Sequence, residues 1–331
     1  MKFLKDIGDI EGKKVILRAD FDVPIEDGKV SDETRIKAAV PTIEFLRSRG
    51  AQVLVISHLG RPQGVDPNLS LKVVIPLLEK LVGKDFTFLD TPDKQVASAL
   101  SVLENLRFWP GEEANDPQFA QELSSLGDLY VNDAFAVSHR SHASVAALPK
   151  LLPAYAGLNL EKEVTELSKV LENPKRPLVA ILGGAKIETK MPAIANLAKV
   201  ADKVLVGGKL MFEIGKDNLT GNIIVAGDNL DGKDIGPTSI KQFSDEIARA
   251  AGVVWNGPMG IFEEEKYQTG TKAVAQAVVG SSAYSVIGGG DTISALNKFG
   301  LLDKIDYVST GGGAMLEFLA GTKLPGLEAL G

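Results

Sequence analysis

Strand ends and the loops after them carry most of the chemistry in the first half of this chain: Asp20, Asp22, Arg35, His58, Arg61, Arg107, His139, Arg140 and His142. All three histidines of the protein are in this set. The arginine fork matches the paired oxygens of phosphate or carboxylate, and histidine adds a donor that responds to its surroundings. Gathered at strand ends in a chain of net charge -7, these residues predict a local positive pocket for a small anion. Zinc is disfavoured, because the chain has no cysteine to supply thiolate ligands.

The second half ends its apolar runs differently, in GGAK (183–186), GG (207–208), WNGPMG (255–260), GGGD (288–291) and STGGG (309–313). Glycine lets backbone N–H groups come close to an oligophosphate, and a helix starting just beyond favours negative charge. These ends predict a nucleotide domain. Neither GxxxxGK[ST] nor GxGxxG occurs in the sequence, so the common phosphate-loop families are excluded.

The elements that must position these residues are short β-branched runs alternating with amphipathic stretches. The runs are VILRADFD (15–22), VLVISHLG (53–60), LYVNDAF (129–135), LVAILGG (178–184), KVLVGG (203–208), NIIVAGD (222–228), VVWNGP (253–258), YSVIGGG (284–290) and YVSTGGG (307–313). Helical spacing recurs at Ile36, Val40, Ile43 and Leu46 before a stop at Gly50, and again over 238–251, 268–279 and 292–299. Such alternation predicts α/β architecture with parallel sheets, in which ligands bind beyond the carboxyl ends of the strands. At 331 residues the chain exceeds one hydrophobic core, so two Rossmann-like domains are expected. The stretch LEKEVTELSKVLENPKRP, with Leu160, Val164, Leu167 and Leu171 on one face, predicts a helix joining them. The expected boundaries are 1–155 for the first domain, 156–173 for the linking helix and 174–319 for the second.

Composition narrows the setting. With 44% hydrophobic and 24% charged residues the chain reads as a globular protein. Its acidic balance disfavours nucleic acid and anionic membranes as partners. The absence of cysteine agrees with a reducing compartment, and MKFLKDIGDIEGKK interrupts its apolar residues too often for a membrane span. A cytoplasmic protein without a targeting segment is expected.

Nine segments in order along the chain, RADFDVP (18–24), TRI (34–36), SHLGRP (57–62), LENLRF (103–108), NDAF with HRSHAS (132–144), GGAK (183–186), WNGPMGIFE (255–263), GGGDT (288–292) and STGGGA (309–314), closely resemble the phosphoglycerate kinases. The resemblance implies a glycolytic transferase that moves a phosphoryl group between 1,3-bisphosphoglycerate and Mg-ADP, giving 3-phosphoglycerate and ATP. It implies glycerate binding on the first domain, nucleotide binding on the second, closure about a hinge, and a monomer. By analogy Asp20 and Asp22 hold the glycerate, and Arg35, His58, Arg61, Arg107 and Arg140 receive its phosphate and the reacting group. The matching nucleotide positions are Lys186, Lys190, Gly208, Asn256, Pro258, Glu263, Gly289, Gly290, Asp291 and Thr292. Glu263 would contact the ribose and Asp291 would be the Mg²⁺ ligand. Arg35, Lys186, Gly289 and Gly290 are the expected catalytic positions, because in-line phosphoryl transfer needs positive charge and N–H donors rather than a covalent nucleophile.

Three features depart from the family pattern. Position 22 is Asp where the family usually has Asn, Lys209 stands at the third position of a usual glycine triplet, and the stretch from Gly208 to Gly236 is short by about one βα unit. Part of the adenine pocket wall normally comes from that stretch. Two other readings remain open at this point: a non-catalytic relative that only binds an anionic metabolite, and a nicotinamide-dependent dehydrogenase, which the missing GxGxxG turn opposes. Whether the final KLPGLEALG folds back on the first domain, as the family's C-terminal segment does, is also open.

Overall fold

The computed structural model describes residues 1–92, 98–214 and 221–331. The chain divides into two compact units, Met1–Glu163 with Lys323–Gly331, and Val164–Thr322. The division falls inside the helix Leu158–Glu172, so one continuous helix contributes to both.

Six strands build the sheet of the first unit: β1 Lys14–Arg18, β2 Gln52–Ile56, β3 Thr87–Leu89, β4 Leu100–Leu103, β5 Leu129–Asn132 and β6 Ala154–Ala156. Their order is β3-β4-β2-β1-β5-β6, every pair parallel. β1 and β2 are buried along nearly their whole length, as strands covered on both faces must be. Val15, Leu17, Val53, Val55 and Val131 meet Ile36, Ile43 and Leu46 of the helix Thr34–Ser48 in one core. Each such side chain contributes about 1.5–3 kcal/mol on burial. Strand order reverses between β1 and β5, which makes their carboxyl ends the natural ligand edge.

The second unit repeats the plan with β7 Leu178–Leu182, β8 Lys203–Val206, β9 Ile223–Val225, β10 Gly252–Asn256, β11 Tyr284–Gly288 and β12 Tyr307–Ser309. Its all-parallel order, β9-β8-β7-β10-β11-β12, is the doubly wound arrangement with its switch point between β7 and β10. Trp255, Val253 and Ile181 pack against Phe243 and Ile247 of the helix Pro237–Ile247 and Val274 and Val278 of the helix Thr269–Gly280. The expected α/β class with parallel sheets is therefore observed, and all nine apolar runs supply sheet strands. The other three strands of the two six-stranded sheets, β3, β4 and β6, are short, and none was among those runs.

The C-terminal residues belong to the first unit, where the Gly326 N–H donates to the Ser138 carbonyl at 2.8 Å. Among the described residues no helix is long and apolar enough to cross a membrane. Of the short stretch from Gly208 to Gly236, residues 215–220 lie outside the described residues.

Candidate active site

In the first unit Arg35, His58, Arg107, Arg140, His139 and His142 assemble where β1, β2 and the loop after β4 end. Register sets Arg18 beside Ile56, so the residues after both strands meet. The Arg35 guanidinium, at the start of the helix Thr34–Ser48, lies 3.2 Å from Asp20 Oδ2 and donates to the Asp22 carbonyl at 2.9 Å. Asp22 in turn accepts the Gly60 N–H at 2.9 Å and sits 3.6 Å from His58 Nε2. Arg107 donates to the Gly60 carbonyl at 2.5 Å and pairs with Glu113. His58 and Arg107 are buried, Arg35 and Arg140 half-buried, and Arg61 exposed.

In this cluster guanidinium charge and burial together act on the histidines. Burial, followed by the Arg107, Arg18 and Arg140 charges, pushes the His142 imidazolium down to about 3, and burial with Arg140 pushes His139 down to about 4. Burial also lowers His58, against the pull of Asp22. All three imidazoles are thus held neutral, by burial first and by neighbouring guanidinium charges second. Burial alone would raise Asp22, but donation from His58 and the Gly60 N–H, with the Arg35 charge, outweighs it and keeps the carboxylate ionised. The acid at position 22 is accommodated by donors already present.

Behind the cluster stands a set of residues that motif spacing did not single out. Arg18 is 1% exposed and Glu112 fully buried. Arg18 Nε donates to Ser144 Oγ at 3.0 Å, and Ser144 Oγ donates to Glu112 Oε1 at 2.6 Å. Breaking such a buried pair by removing one charge costs about 3–5 kcal/mol. Its sequence signal was slight: Arg18 closes an otherwise apolar strand.

In the second unit all ten predicted nucleotide positions border two adjoining cavities of 350 and 330 Å³, which share Gly184, Ala185 and Asp291. The first is lined by Gly208, Pro258, Glu263 and Asp291, the second by Lys186, Lys190, Asn256, Gly289, Gly290, Asp291 and Thr292. Backbone bonds knit the strand ends across the switch point: Gly184 N–H to the Pro258 carbonyl at 2.8 Å, and Gly208 N–H to the Met259 carbonyl at 3.1 Å. Gly257 adopts φ +99°, and a β-carbon there would strike the Gly183 carbonyl and Lys190 Nζ. Gly289, at φ +97°, precedes the helix Gly290–Lys298. Thr292 Oγ1 accepts the Gly257 N–H at 2.7 Å, so this hydroxyl holds the loop.

Lys190 is buried, and burial lowers its ammonium to about 8 against a smaller opposing pull from Asp291. Lys186 and Asp291 are exposed at the cavity edge. Sequence reasoning missed Lys233, Ile261 and Phe262 on the first cavity and Leu316 on the second, where Gly312 and Gly313 come from the expected STGGG strand end. Ile261 and Phe262 were visible in WNGPMGIFE, but apolar residues carry no chemistry of their own to mark them, and Lys233 and Leu316 lie outside every motif.

A cationic side-chain cluster on one parallel α/β unit and a glycine-lined crevice at the switch point of another fit a phosphotransferase acting with a nucleotide. The phosphoglycerate kinase family profile matches residues 4–219 and 217–322, and the chain belongs to the phosphoglycerate kinase family. Curated phosphoglycerate kinases of Dictyoglomus turgidum and Rubrobacter xylanophilus are 40% and 42% identical to it, each alignment covering 97% of this chain and 96% of the relative. The solved phosphoglycerate kinases of Coxiella burnetii and Pyrococcus horikoshii superpose with TM-scores of 0.86 at 35% and 30% identity, covering 99% and 100% of this chain and 98% of each of theirs. The Dictyoglomus alignment runs over 387 positions against 331 residues here, so at least 56 (387 − 331) have no counterpart in this chain. The profile match breaks at 217–219, inside the short stretch.

Proposed function

We propose that this phosphoglycerate kinase divides its reaction between the two units, binding 3-phosphoglycerate or 1,3-bisphosphoglycerate at the His58 cluster and Mg-ADP or Mg-ATP in the paired cavities. The observation that carries the division is the opposite character of the two strand edges: side-chain cations on the first, backbone N–H groups and glycine on the second. Asp20 and Asp22 orient the glycerate, and Arg107, Arg140, His58 and Arg61 receive its phosphate. Glu263 meets the ribose, and Lys190 with the loops at Gly208, Asn256 and Pro258 meets the phosphates.

Arg35 and Lys186 supply positive charge to the equatorial oxygens of the group in flight, and the N–H groups at Gly289, Gly290 and Thr292 add the donors of a helix N-terminus. Arg35 is already held by the Asp20 carboxylate and the Asp22 carbonyl, so little ordering is left to perform during the reaction. Among the described residues no three His, Cys, Asp or Glu side chains gather as a metal cage. Asp291, an exposed carboxylate bordering both cavities without a hydrogen bond or salt bridge among the described residues, fits a Mg²⁺ held mostly by substrate phosphates and water. Bound there, the ion would neutralise phosphate charge. Closure about a hinge would exclude water from the acyl phosphate. The chain would work as a cytoplasmic monomer.

Steady-state turnover of 3-phosphoglycerate with Mg-ATP, coupled to reduction of the acyl phosphate, tests this reading. ATP-dependent turnover is expected. Glycerate binding by calorimetry without turnover would mean a binding protein instead.

A further inference from the structure

We infer that Arg18 is a positioning residue for the anion pocket: anchored by buried Glu112 through Ser144, it holds His58 with its proton on Nε2, facing Asp22. Arg18 donates from three nitrogens at once. Nε reaches Ser144 Oγ at 3.0 Å, Nη1 reaches the Ala19 carbonyl at 2.5 Å, and Nη2 meets His58 Nδ1 at 3.2 Å. A guanidinium can only donate, so Nδ1 must be the accepting nitrogen and the ring proton must sit on Nε2. That nitrogen lies 3.6 Å from Asp22 Oδ2.

The opposite tautomer would make two errors together. Its Nδ1–H would oppose an Arg18 N–H, and its Nε2 lone pair would oppose the Asp22 carboxylate. The amide that the resemblance expects at position 22 could meet either nitrogen, since it both donates and accepts. A carboxylate accepts only, so in this chain the tautomer is dictated from both sides.

Arg18 holds this role because its own place is fixed. Ser144 has one hydroxyl proton and gives it to Glu112 Oε1 at 2.6 Å, which leaves the oxygen's lone pair for Arg18. The Ser144 N–H donates to Glu112 Oε2 at 2.9 Å, and Tyr130 Oη donates to the Ser144 carbonyl at 2.7 Å. Both oxygens of Glu112 therefore accept from Ser144, and the buried charges of Glu112 and Arg18 offset each other across one hydroxyl. The relay runs Glu112, Ser144, Arg18, His58, Asp22, from the interior to the pocket wall.

The tautomer is directly observable, and only the kinetic arm rests on the His58 cluster being the glycerate site. Nitrogen NMR of histidine-labelled protein, with His58 assigned from a His58→Gln sample, is expected to show one proton, on Nε2, in the parent chain. Lysine cannot satisfy Ser144, Ala19 and His58 together, so Arg18→Lys is expected to give mixed tautomers. Its KM for 3-phosphoglycerate should rise at least about tenfold, one charge-assisted hydrogen bond's worth, with the KM for Mg-ATP unchanged. Ser144→Ala removes only the bridging oxygen and should move both readouts the same way, by a few-fold in KM, which decides the matter if Arg18→Lys does not fold. A parent-chain proton on Nδ1, or an Nε2 proton and glycerate KM unmoved in the variants, overturns the relay. If the parent chain shows the Nε2 proton but no turnover with 3-phosphoglycerate, the proposed function fails and the positioning role stands on the NMR alone.

Discussion

Lys190 Nζ donates to Asn256 Oδ1 at 2.9 Å and to the Asn256 carbonyl at 3.1 Å, tying the helix Ile187–Val200 to the end of β10 across the point where strand order reverses. The bond places a partly desolvated ammonium at the floor of the 330 Å³ cavity. The strand order brings it there: Lys190 follows β7 and Asn256 ends β10, and these strands are neighbours.

Burial lowers Lys190 to about 8, and the sign of the consequence differs for binding and for folding. Above that pH the free protein loses a positive charge facing the phosphates, so Mg-ADP affinity should fall by up to about tenfold per pH unit. Stability moves oppositely: between pH 8 and the ordinary lysine value of 10.5 the unfolded chain holds the proton and the native one does not, so this group's contribution rises with pH. Calorimetric titrations with Mg-ADP from neutral to alkaline pH would check the binding arm. Lys190→Gln should bind weakly with little pH dependence, and a parent profile that stays flat well above pH 8 would count against the assignment.

Arg35→Ala and Lys186→Ala should each lower kcat by about 10²–10³, the loss seen when one preorganised transition-state donor is removed. Lys186 is exposed, so its removal should leave stability within about 0.5 kcal/mol. Near-normal kcat in a folded variant, judged by its denaturation curve, would remove that residue from the mechanism.

Gly257→Ala should harm folding and nucleotide binding together. The φ of +99° is costly for any side chain, and the new methyl would meet both a carbonyl of the β7 loop and Lys190 Nζ. A loss of about 1–3 kcal/mol is expected, read from the urea midpoint, with Mg-ADP affinity falling in parallel. A variant as stable as the parent would show that the loops can part without cost.

The nine apolar runs were legible because parallel strands buried on both faces are apolar along their length, as LVAIL of β7 and GVVWN of β10 are. β3 was harder: Thr87 is exposed and Phe88 only partly buried, so no apolar run marks it. Lys233 apart, the cavity residues predicted for the nucleotide and the glycine clusters were readable in order along the chain. Arg18, Ser144 and Glu112 were not, because what distinguishes them is burial and mutual contact across 126 and 32 residues of sequence, which no local pattern records.

Asp133 offers a test in the opposite pH range. It directly follows β5, and its Oδ1 accepts the Asn159 N–H at 2.8 Å and the Leu160 N–H at 3.2 Å, capping the helix Leu158–Glu172. Burial pushes the carboxyl up to about 7, more than these donors lower it. The native state therefore keeps a proton that the unfolded chain releases near pH 4, and the group's contribution to stability is lost as pH rises from about 4 to 7. Asp133→Asn keeps an accepting oxygen without the titration. The stability difference between variant and parent, from urea unfolding of both, should grow in the variant's favour across that window. A difference independent of pH would mean the carboxyl titrates normally.

Base selectivity follows from what lines the 350 Å³ cavity. Lys209, Lys233, Pro258, Ile261, Phe262 and Glu263 border it, with Asp291 and five further residues that are glycine or alanine. Among the described residues no side-chain amide or hydroxyl faces this space, so no neutral side chain can distinguish an exocyclic amino group from a carbonyl. Apolar walls discriminate such groups weakly, by about 10² at most, whereas a built hydrogen-bonding pocket reaches about 10⁴–10⁵. The ratio of kcat/KM for Mg-ATP over Mg-GTP is therefore expected to stay below about 10². A measured ratio near 10⁴ would require a polar reader of the base, and would transfer selectivity from the side chains to the backbone of the glycine loops.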